Sequence, residues 1–491
     1  MNKSNSLAGT TGRLNSRGVG AILLLTVCGL SACATDANYQ RPSLQLPDSW
    51  PAKQGDAGSS QPASHVGERW WTLYADPVLD AMEEEALVHN LDIQAAAARI
   101  LEVRAQLGLT EADHYPSVSA NLQQSRNKTA LFGTYSLSHA SIDASYEVDL
   151  WGRLRNATTA ARAQLLATES ARDSIRLSLT AQVAQQYFAL LSYDAQEIAL
   201  RRALKGRQER LDLDRRRVGV GVLSEYDLHQ SAAEEAAVRS QLIAIVRVRE
   251  QQEVALSLLL GRSPREVMSR TLERGTPKPI DSWVPEGLPA ELLLRRPDLK
   301  QAEANLVALN ARIAEARAQF FPAISLTGSI GSESTSLSNL FSGPSGIFQF
   351  AAGLTQPIFN AGRTRLGVDI AEARRNEAVA QYRQAVASAF ADVRNALAAQ
   401  EAGRQIYAAE TMRANALDLA YKQADLRYQG GISSRLELLD VERNFLQAEL
   451  NRLDAERTQR AAVADLFKAL GGGWEQPPTQ SNTQQSIEGN K

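Results

Sequence analysis

The 491-residue chain has little of what a conventional globular enzyme would need. Aromatic residues make up only 6 % of the composition, so a large aromatic core is poorly supplied. The formal net charge of −2 does not favour nucleic acid as a partner. The five His residues are scattered without metal-ligand spacing, and the sequence contains no phosphate-binding loop, G-x-S-x-G motif or dinucleotide fingerprint. We therefore predict a protein that is not an enzyme, with no catalytic residues, cofactor or metal.

Cysteine is nearly absent, and its two positions are informative. Two arginines precede the apolar run 19–27, which is too short to span a bilayer as a mature helix, and small residues lead into Cys33. The pattern resembles a bacterial lipobox, so we expect residues 1–32 to be removed and Cys33 to carry the lipid. Cys28 lies in the removed part, which leaves no internal disulfide. The alternative is an ordinary secretory signal with Cys33 as a free thiol.

A duplication at a spacing of 210 residues organises the chain. The matched landmarks are Gly152-Arg153 with Gly362-Arg363, the segment 217–224 with 427–434, and Leu260-Gly261 with Leu470-Gly471. The sequence of each copy predicts a first helix, over 91–113 and 297–319, that ends near Pro116 and Pro322. Each also predicts a long helix (154–217 and 365–428) and a return helix (223–260 and 434–470), with apolar residues at helical spacing.

Between these helices, each copy contains two segments in which apolar and polar residues alternate. Residues 142–150 place Asp143, Glu147 and Asp149 on one face and apolar side chains on the other, which is typical of a strand between two solvents. The other strands are expected around 118–122, 324–330 and 348–354. The edge of a soluble sandwich is the alternative.

After the export segment, no run of about 20 apolar residues is present, so a spanning structure would have to be a β-barrel. Four strands per chain cannot close alone. Two chains would give a barrel filled by its own side chains, whereas three would leave room for a lumen. We therefore predict a homotrimer.

Several further stretches resemble the TolC-like outer-membrane efflux channels (outer membrane factors), in particular their lipoprotein branch. They are 39–42, Trp70–Pro77, Leu292–Asp298, Phe320–Leu326, Pro357–Arg363 and Ala469–Trp474. The resemblance implies an α+β membrane protein: a trimeric 12-stranded transmembrane β-barrel continuous with a long periplasmic α-helical barrel, plus a mixed equatorial domain. It implies the exit duct of a tripartite efflux pump in the outer membrane, with a periplasmic adaptor protein, an inner-membrane RND-type transporter and outer-membrane lipid as partners.

The predicted domains follow from the repeat and the resemblance together. They are a signal peptide with lipobox (1–32), a lipidated N-terminal and equatorial segment (33–90), repeat 1 (91–261), a linker and equatorial region (262–296), repeat 2 (297–473) and a polar tail (474–491).

The resemblance also assigns roles at the two turns between the long and return helices. Acidic rings that constrict the pore are expected at Asp227, Glu437 and Asp440, and the bonds that hold the gate shut at Arg427, Tyr428 and Arg435. The Arg that the family usually has five residues after the gate Tyr is Ser433 here, so the locking partners stay open. The adaptor-docking residues are expected to be Val218, Gly219, Gly221, Gly430 and Gly431. Two other functions remain alternatives: a type I secretion channel and a periplasmic coiled-coil lipoprotein without a pore.

Overall fold

A computed structural model describes residues 39–44, 69–130, 133–269, 271–278 and 295–472. The predicted signal peptide, Cys33, about half of the predicted linker and the predicted polar tail lie outside the described residues. Among the described residues, no helix combines the length and the apolar content that a membrane crossing requires.

The elements follow one another in the same order in both halves. They are α1 (Pro77–His89), α2 (Leu91–Ala112), β1 (Ser117–Thr129), β2 (Gly133–Glu147), α3 (Arg153–Gly219), α4 (Glu225–Leu259), α5 (Pro264–Ser269), α6 (Pro297–Ala318), β3 (Ala323–Ser334), β4 (Gly346–Thr355), α7 (Arg363–Gln429) and α8 (Arg435–Ala469). The long helices α3 and α7 have 67 residues each and start 210 residues apart, as do the return helices α4 and α8, of 35 residues each. The predicted duplication is therefore confirmed at the level of the backbone.

The six predicted helices are confirmed, with ends that differ by one or two residues. Helix α3 ends at Gly219 instead of Arg217, and α4 begins at Glu225 instead of Leu223. The reason for the later start is local: Ser224 has extended backbone angles, and its hydroxyl caps the new helix, so it precedes the helix and is not part of it.

The four predicted strands form one antiparallel sheet in the order β1-β2-β3-β4. Ile142 of β2 lies between Ala120 of β1 and Ile330 of β3. The strands are longer than the alternating segments indicated: β1 runs on to Thr129, and β2 begins at Gly133, nine residues before Ile142. The extension of β1 from Gln123 to Thr129 is entirely polar, so no apolar alternation marks it although the backbone pairing continues.

The prediction that β2 continues through Asp149 is wrong. The strand ends at Glu147, and the Asp149 carboxylate instead accepts hydrogen bonds from the backbone N–H groups of Leu154 (3.1 Å) and Arg155 (2.9 Å) in the first turn of α3. A carboxylate at this place satisfies backbone donors that have no partner within the helix. Glu147, the last residue of β2, holds Arg153 of α3 in a two-pronged ion pair.

The chain folds as two compact units. One includes residues 102–166 and 304–380 and therefore holds the sheet; the other includes 69–101, 167–269 and 381–472. The core of the second unit is built on Trp70, which stacks on Phe467 with ring centroids 5.3 Å apart, and on Tyr74, which lies against Phe188. A separate small cluster, formed by Leu200, Val238, Leu242 and Leu446, joins α3, α4 and α8 farther along the helices.

Candidate functional site

The first turn (residues 217–224) and the second turn (427–434), here called the paired turns, reverse the chain with the same geometry. In the first, the N–H of Val222 donates to the carbonyl of Arg217 and the N–H of Gly221 to that of Val218, both at 2.9 Å. In the second, Ile432 and Gly431 make the equivalent bonds at 2.8 and 3.0 Å. These bonds define the Schellman motif at the end of a helix. The motif needs a left-handed backbone conformation at the residue before the last N–H donor, which is position 221 in the first turn and 431 in the second.

Only two of the predicted turn glycines meet that need. Gly221 and Gly431 have φ angles of 73° and 70°, where a side chain is strained. Gly219 and Gly430 do not have positive φ angles, so their backbone conformation is open to other residues. Val218 is the acceptor of the Gly221 bond rather than an exposed tip residue.

The outermost side chains of the paired turns are apolar and exposed. Val220 and Val222 project from the first turn and Ile432 from the second, and Tyr226 and Leu436 follow in the next helical turn. Isolated exposed apolar residues are ordinary on proteins, but a contiguous set is typical of a surface that contacts a partner.

Two of the predicted acidic residues are tied to the start of the return helices. The Ser224 hydroxyl donates to the Asp227 carboxylate at 2.6 Å and accepts from the Asp227 N–H at 3.2 Å. The Ser434 hydroxyl accepts from the Glu437 N–H, also at 3.2 Å. A negative charge in the first turn of a helix is favoured by the helix dipole. The Asp227 carboxylate is therefore held in place by its cap serine, whereas Ser434 holds only the backbone of Glu437.

The predicted locking residues divide into an exposed and a buried set. Arg427 lies 3.6 Å from the Glu437 carboxylate in an exposed ion pair between α7 and α8. The Tyr428 hydroxyl of α7 accepts a hydrogen bond of 3.5 Å from the Arg217 guanidinium of α3. Such exposed contacts contribute about 0–1 kcal/mol each. Asp440 is exposed and accepts from Asn444 on its own helix at 3.2 Å.

Arg435 is the exception, because it is buried and joins the two helical hairpins. Its guanidinium lies 2.7 Å from the Asp214 carboxylate, and the two side chains are 9 % and 1 % exposed. Ser231 donates to the same carboxylate at 2.7 Å and also contacts Arg435. This three-residue contact, here called the buried link, connects α3, α4 and α8 within about two helical turns of the paired turns.

Further buried charges lie behind the buried link. Arg207 is almost completely buried and donates to Glu234 at 2.9 Å, and Arg443 of the second hairpin contacts the same carboxylate. Burial lowers the pKa of the Arg207 guanidinium, an effect that the negative charge of Glu442 opposes. Arg210 lies 3.4 Å from Asp425 in a pair that is only partly buried. Breaking one partner of such a buried pair is far more costly than losing a surface contact.

Sequence reasoning named Arg435 but missed Asp214, Ser231 and Arg207. A signal was present: Leu200, Arg207 and Asp214 are seven residues apart, so the two charged residues occupy positions where a heptad expects apolar side chains. The Ser433 hydroxyl is buried and has no hydrogen-bonding partner among the described residues. Within the same described ranges, His, Cys, Asp and Glu form no group of three or more suited to a metal ion.

Comparison with known proteins shows similarity to outer membrane efflux proteins across nearly the whole chain. The family model described as outer membrane efflux protein matches residues 83–262 and 288–472. The cation efflux system protein CusC of Escherichia coli O6:H1 is 34 % identical over 466 residues, which cover 92 % of this chain and 99 % of CusC.

One further relative is similar in sequence, and one solved structure is similar in fold. The probable outer membrane lipoprotein SilC of Salmonella typhimurium is 32 % identical over 456 residues, with 91 % of this chain and 97 % of SilC covered. The crystal structure of the CmeC outer membrane channel of Campylobacter jejuni superimposes with a TM-score of 0.84 at 26 % identity and covers 90 % of this chain and 95 % of CmeC.

Proposed function

The chain belongs to the outer membrane efflux protein family, and from that premise we propose that three copies of it join into one exit duct that the paired turns close at the periplasmic end. It is an outer-membrane channel protein of an efflux system, and the family consists of channel proteins rather than enzymes. The sheet supports the assembly: β1 and β4 stand at its two edges, and unpaired edges are intolerable in lipid, so pairing with neighbouring copies satisfies them.

The buried link is the observation that carries the closing role. It joins the first hairpin to the second immediately behind the turns, and it is the kind of contact that has two discrete states, formed or broken. The Arg435 side chain is only 9 % exposed and that of Asp214 only 1 %, so removing either charge would leave the other buried without its partner. The closed arrangement is therefore held by a contact whose loss has a large effect.

The acidic residues of the turns give the closed end its charge. Three copies bring three carboxylates each of Asp227, Glu437 and Asp440 around one axis. A ring of carboxylates repels anions and favours cations. The exposed pair between Arg427 and Glu437 and the bond between Arg217 and Tyr428 add weaker contacts to the same closed end.

The exposed apolar turn residues fit a periplasmic adaptor as the partner. Val220, Val222 and Ile432 lie at the very end of the hairpins, held in shape by the Gly221 and Gly431 turns. An adaptor that covers this surface would connect the duct to an inner-membrane RND-type transporter, which supplies the energy. Cys33 is the residue that would carry the lipid anchor, as the name of the lipoprotein relative SilC suggests for that protein.

The test is single-channel recording in planar lipid bilayers. We expect the protein to conduct ions at a low level and the double variant Glu437→Ala with Asp440→Ala to conduct more, because the constriction widens and the pair with Arg427 is lost. Preference for cations over anions, read from the reversal potential in a salt gradient, should fall at the same time.

The matched control is Asp454→Ala with Glu456→Ala, which removes two carboxylates from the same helix, α8, about five turns away. These carboxylates pair with arginines of their own helix, so the conductance should not change. Equal currents through the first double variant and the unaltered protein would exclude these carboxylates from the constriction. A complete absence of current in every variant would refute the duct itself.

A further inference from the structure

A small cavity lies where α3, α4 and α8 meet, next to Arg435 of the buried link. Its lining includes three arginines, Arg207 and Arg210 from α3 and Arg435 from α8, together with Glu234 of α4 and Glu442 of α8. Its volume of about 10 Å³ takes one water-sized occupant. This space, here called the arginine cavity, therefore lies between the first and the second hairpin of one copy.

The three guanidinium groups have more N–H groups than their ion pairs use. Each pairs with one carboxylate. Beyond those pairs, the Nε atoms of Arg207 and Arg435 and the Nη1 atoms of Arg210 and Arg435 are buried and have no hydrogen-bonding partner among the described residues. These atoms carry six N–H groups in all, one on each Nε and two on each Nη1. Among the residues named for the lining, the only buried acceptor in the same state is the Oε2 atom of Glu442.

This excess of donors favours an occupant that only accepts hydrogen bonds. A buried water molecule makes about three hydrogen bonds and is the donor in some of them, so it would leave most of the six N–H groups without an acceptor. A monatomic anion accepts from several donors at once and donates to none. Polyatomic anions such as sulfate exceed the space of one water-sized occupant. The occupant that fits the donors and the volume is therefore a single halide ion.

The charges around the cavity agree with this choice but do not determine it. The three arginines outnumber the two glutamates of the lining, whereas Asp214 and Asp425, which pair with two of these arginines, offset the excess. Arg207 has the most to gain from an anion, because its side chain is only 4 % exposed. Burial lowers the pKa of the Arg207 guanidinium, and the positive charges of the neighbouring arginines add to this effect.

We propose that the arginine cavity binds a chloride ion, held by Arg207 and Arg210 of α3 and by Arg435 of α8. The ion supplies the acceptor that the buried N–H groups lack and joins the first hairpin to the second beside the buried link. The negative charges of Glu234 and Glu442 oppose the ion and limit its affinity. The site lies within one copy, so this inference goes beyond the proposed duct and stands or falls separately from it.

The test follows the thermal unfolding of the purified protein in detergent while chloride replaces gluconate at constant ionic strength. Gluconate is too large for the cavity and supplies ionic strength alone. We expect the midpoint of unfolding to rise with the chloride concentration and then to level off, because the ion binds the folded state only. At about ten times the dissociation constant, the rise should be on the order of 1–2 °C. Equal midpoints in the two salts overturn the proposal.

Two variants of the lining should change the chloride response in opposite directions. Arg210→Gln removes donors and a positive charge, so half of the effect should need about tenfold more chloride. Glu442→Gln removes an opposing charge and adds N–H groups, so half of the effect should need less chloride. The matched control is Arg201→Gln, which replaces an exposed arginine that pairs within α3 and should leave the response unchanged. The same response in all four proteins would place the ion elsewhere and overturn the assignment.

Crystallography with bromide identifies the occupant in the unaltered protein. Crystals grown with sodium bromide in place of sodium chloride should show anomalous density in contact with Arg207, Arg210 and Arg435. Density for a water molecule without an anomalous signal overturns the proposal. Bromide at the site without any chloride effect in solution would be an adventitious ion only and overturns it as well. Neither measurement depends on ion conduction, so a failure here leaves the proposed function standing.

Discussion

Replacing Asp214 with Asn removes the negative charge of the buried link and keeps its shape. The Asn side chain still accepts a hydrogen bond from Ser231, but the Arg435 guanidinium is left as a buried charge without its counter-ion. Removing one partner of a buried ion pair costs about 3–5 kcal/mol, and we take about 3 kcal/mol because one hydrogen bond survives.

If the link exists only in the closed arrangement, that energy shifts the balance between closed and open on the order of 100-fold for each copy, since about 1.4 kcal/mol is a factor of ten. Single-channel recording measures this directly as a higher open probability of Asp214→Asn. The variant Arg457→Gln is the control, because Arg457 pairs with Asp454 within α8 and does not connect the hairpins.

The double variant Asp214→Asn with Arg435→Met completes the experiment. It removes both charges, and a buried pair replaced by uncharged side chains is often nearly neutral for stability. We expect its open probability to return most of the way to that of the unaltered protein. If the double variant is at least as open as Asp214→Asn alone, the charge pair is not what holds the hairpins together.

Three further predictions concern stability, measured by thermal unfolding in detergent. Glu83 is buried with no described hydrogen-bond partner, and burial, with a smaller effect of Asp80, raises its pKa. The pKa of Glu83 in the folded state therefore exceeds the unfolded value of about 4.3. The contribution of Glu83 to stability is full below that value and is lost as pH rises through the folded-state pKa. Glu83→Met should raise the free energy of unfolding by about 1–3 kcal/mol at neutral pH and remove this pH dependence. Gly261 has a φ of +72°, and a Cβ on it would lie 2.1 Å from a backbone oxygen, so Gly261→Ala should lower the free energy of unfolding by about 3 kcal/mol. Gly221→Ala should lower it by only about 1 kcal/mol. Equal losses for the two variants would contradict this. Trp70→Ala should cost about 3–5 kcal/mol, and a loss below about 1 kcal/mol would show that its stacking adds little.

The helices could be predicted because residues close in sequence determine where each helix begins and ends. Apolar residues at helical spacing identify the long helices, and glycine at 221 and 431, followed by serine at 224 and 434, marks where one helix stops and the next begins. The strands were predicted in number and place but not in length. The end of β1 is polar, and only its pairing with β2 reveals it.

The candidate site could be predicted only in part, for the same reason. The turns and their carboxylates follow from neighbouring residues. The buried link joins Asp214 to Arg435, more than 200 positions apart, and the register between two hairpins cannot be read from either one. Asp149 shows the opposite error: local alternation continued past the real end of β2, where the carboxylate serves the next helix instead.

A protein made of two similar halves must avoid pairing a half with another copy of itself while it folds. The counterpart of Arg435 in the first repeat is Glu225, and the counterpart of Asp214 in the second is Ala424. First half against first half would bring two carboxylates together, and second half against second half would leave a buried arginine facing an alanine. Only the mixed pairing neutralises both charges. The charges at these four positions therefore favour the pairing of the first half with the second over the pairing of either half with its own kind.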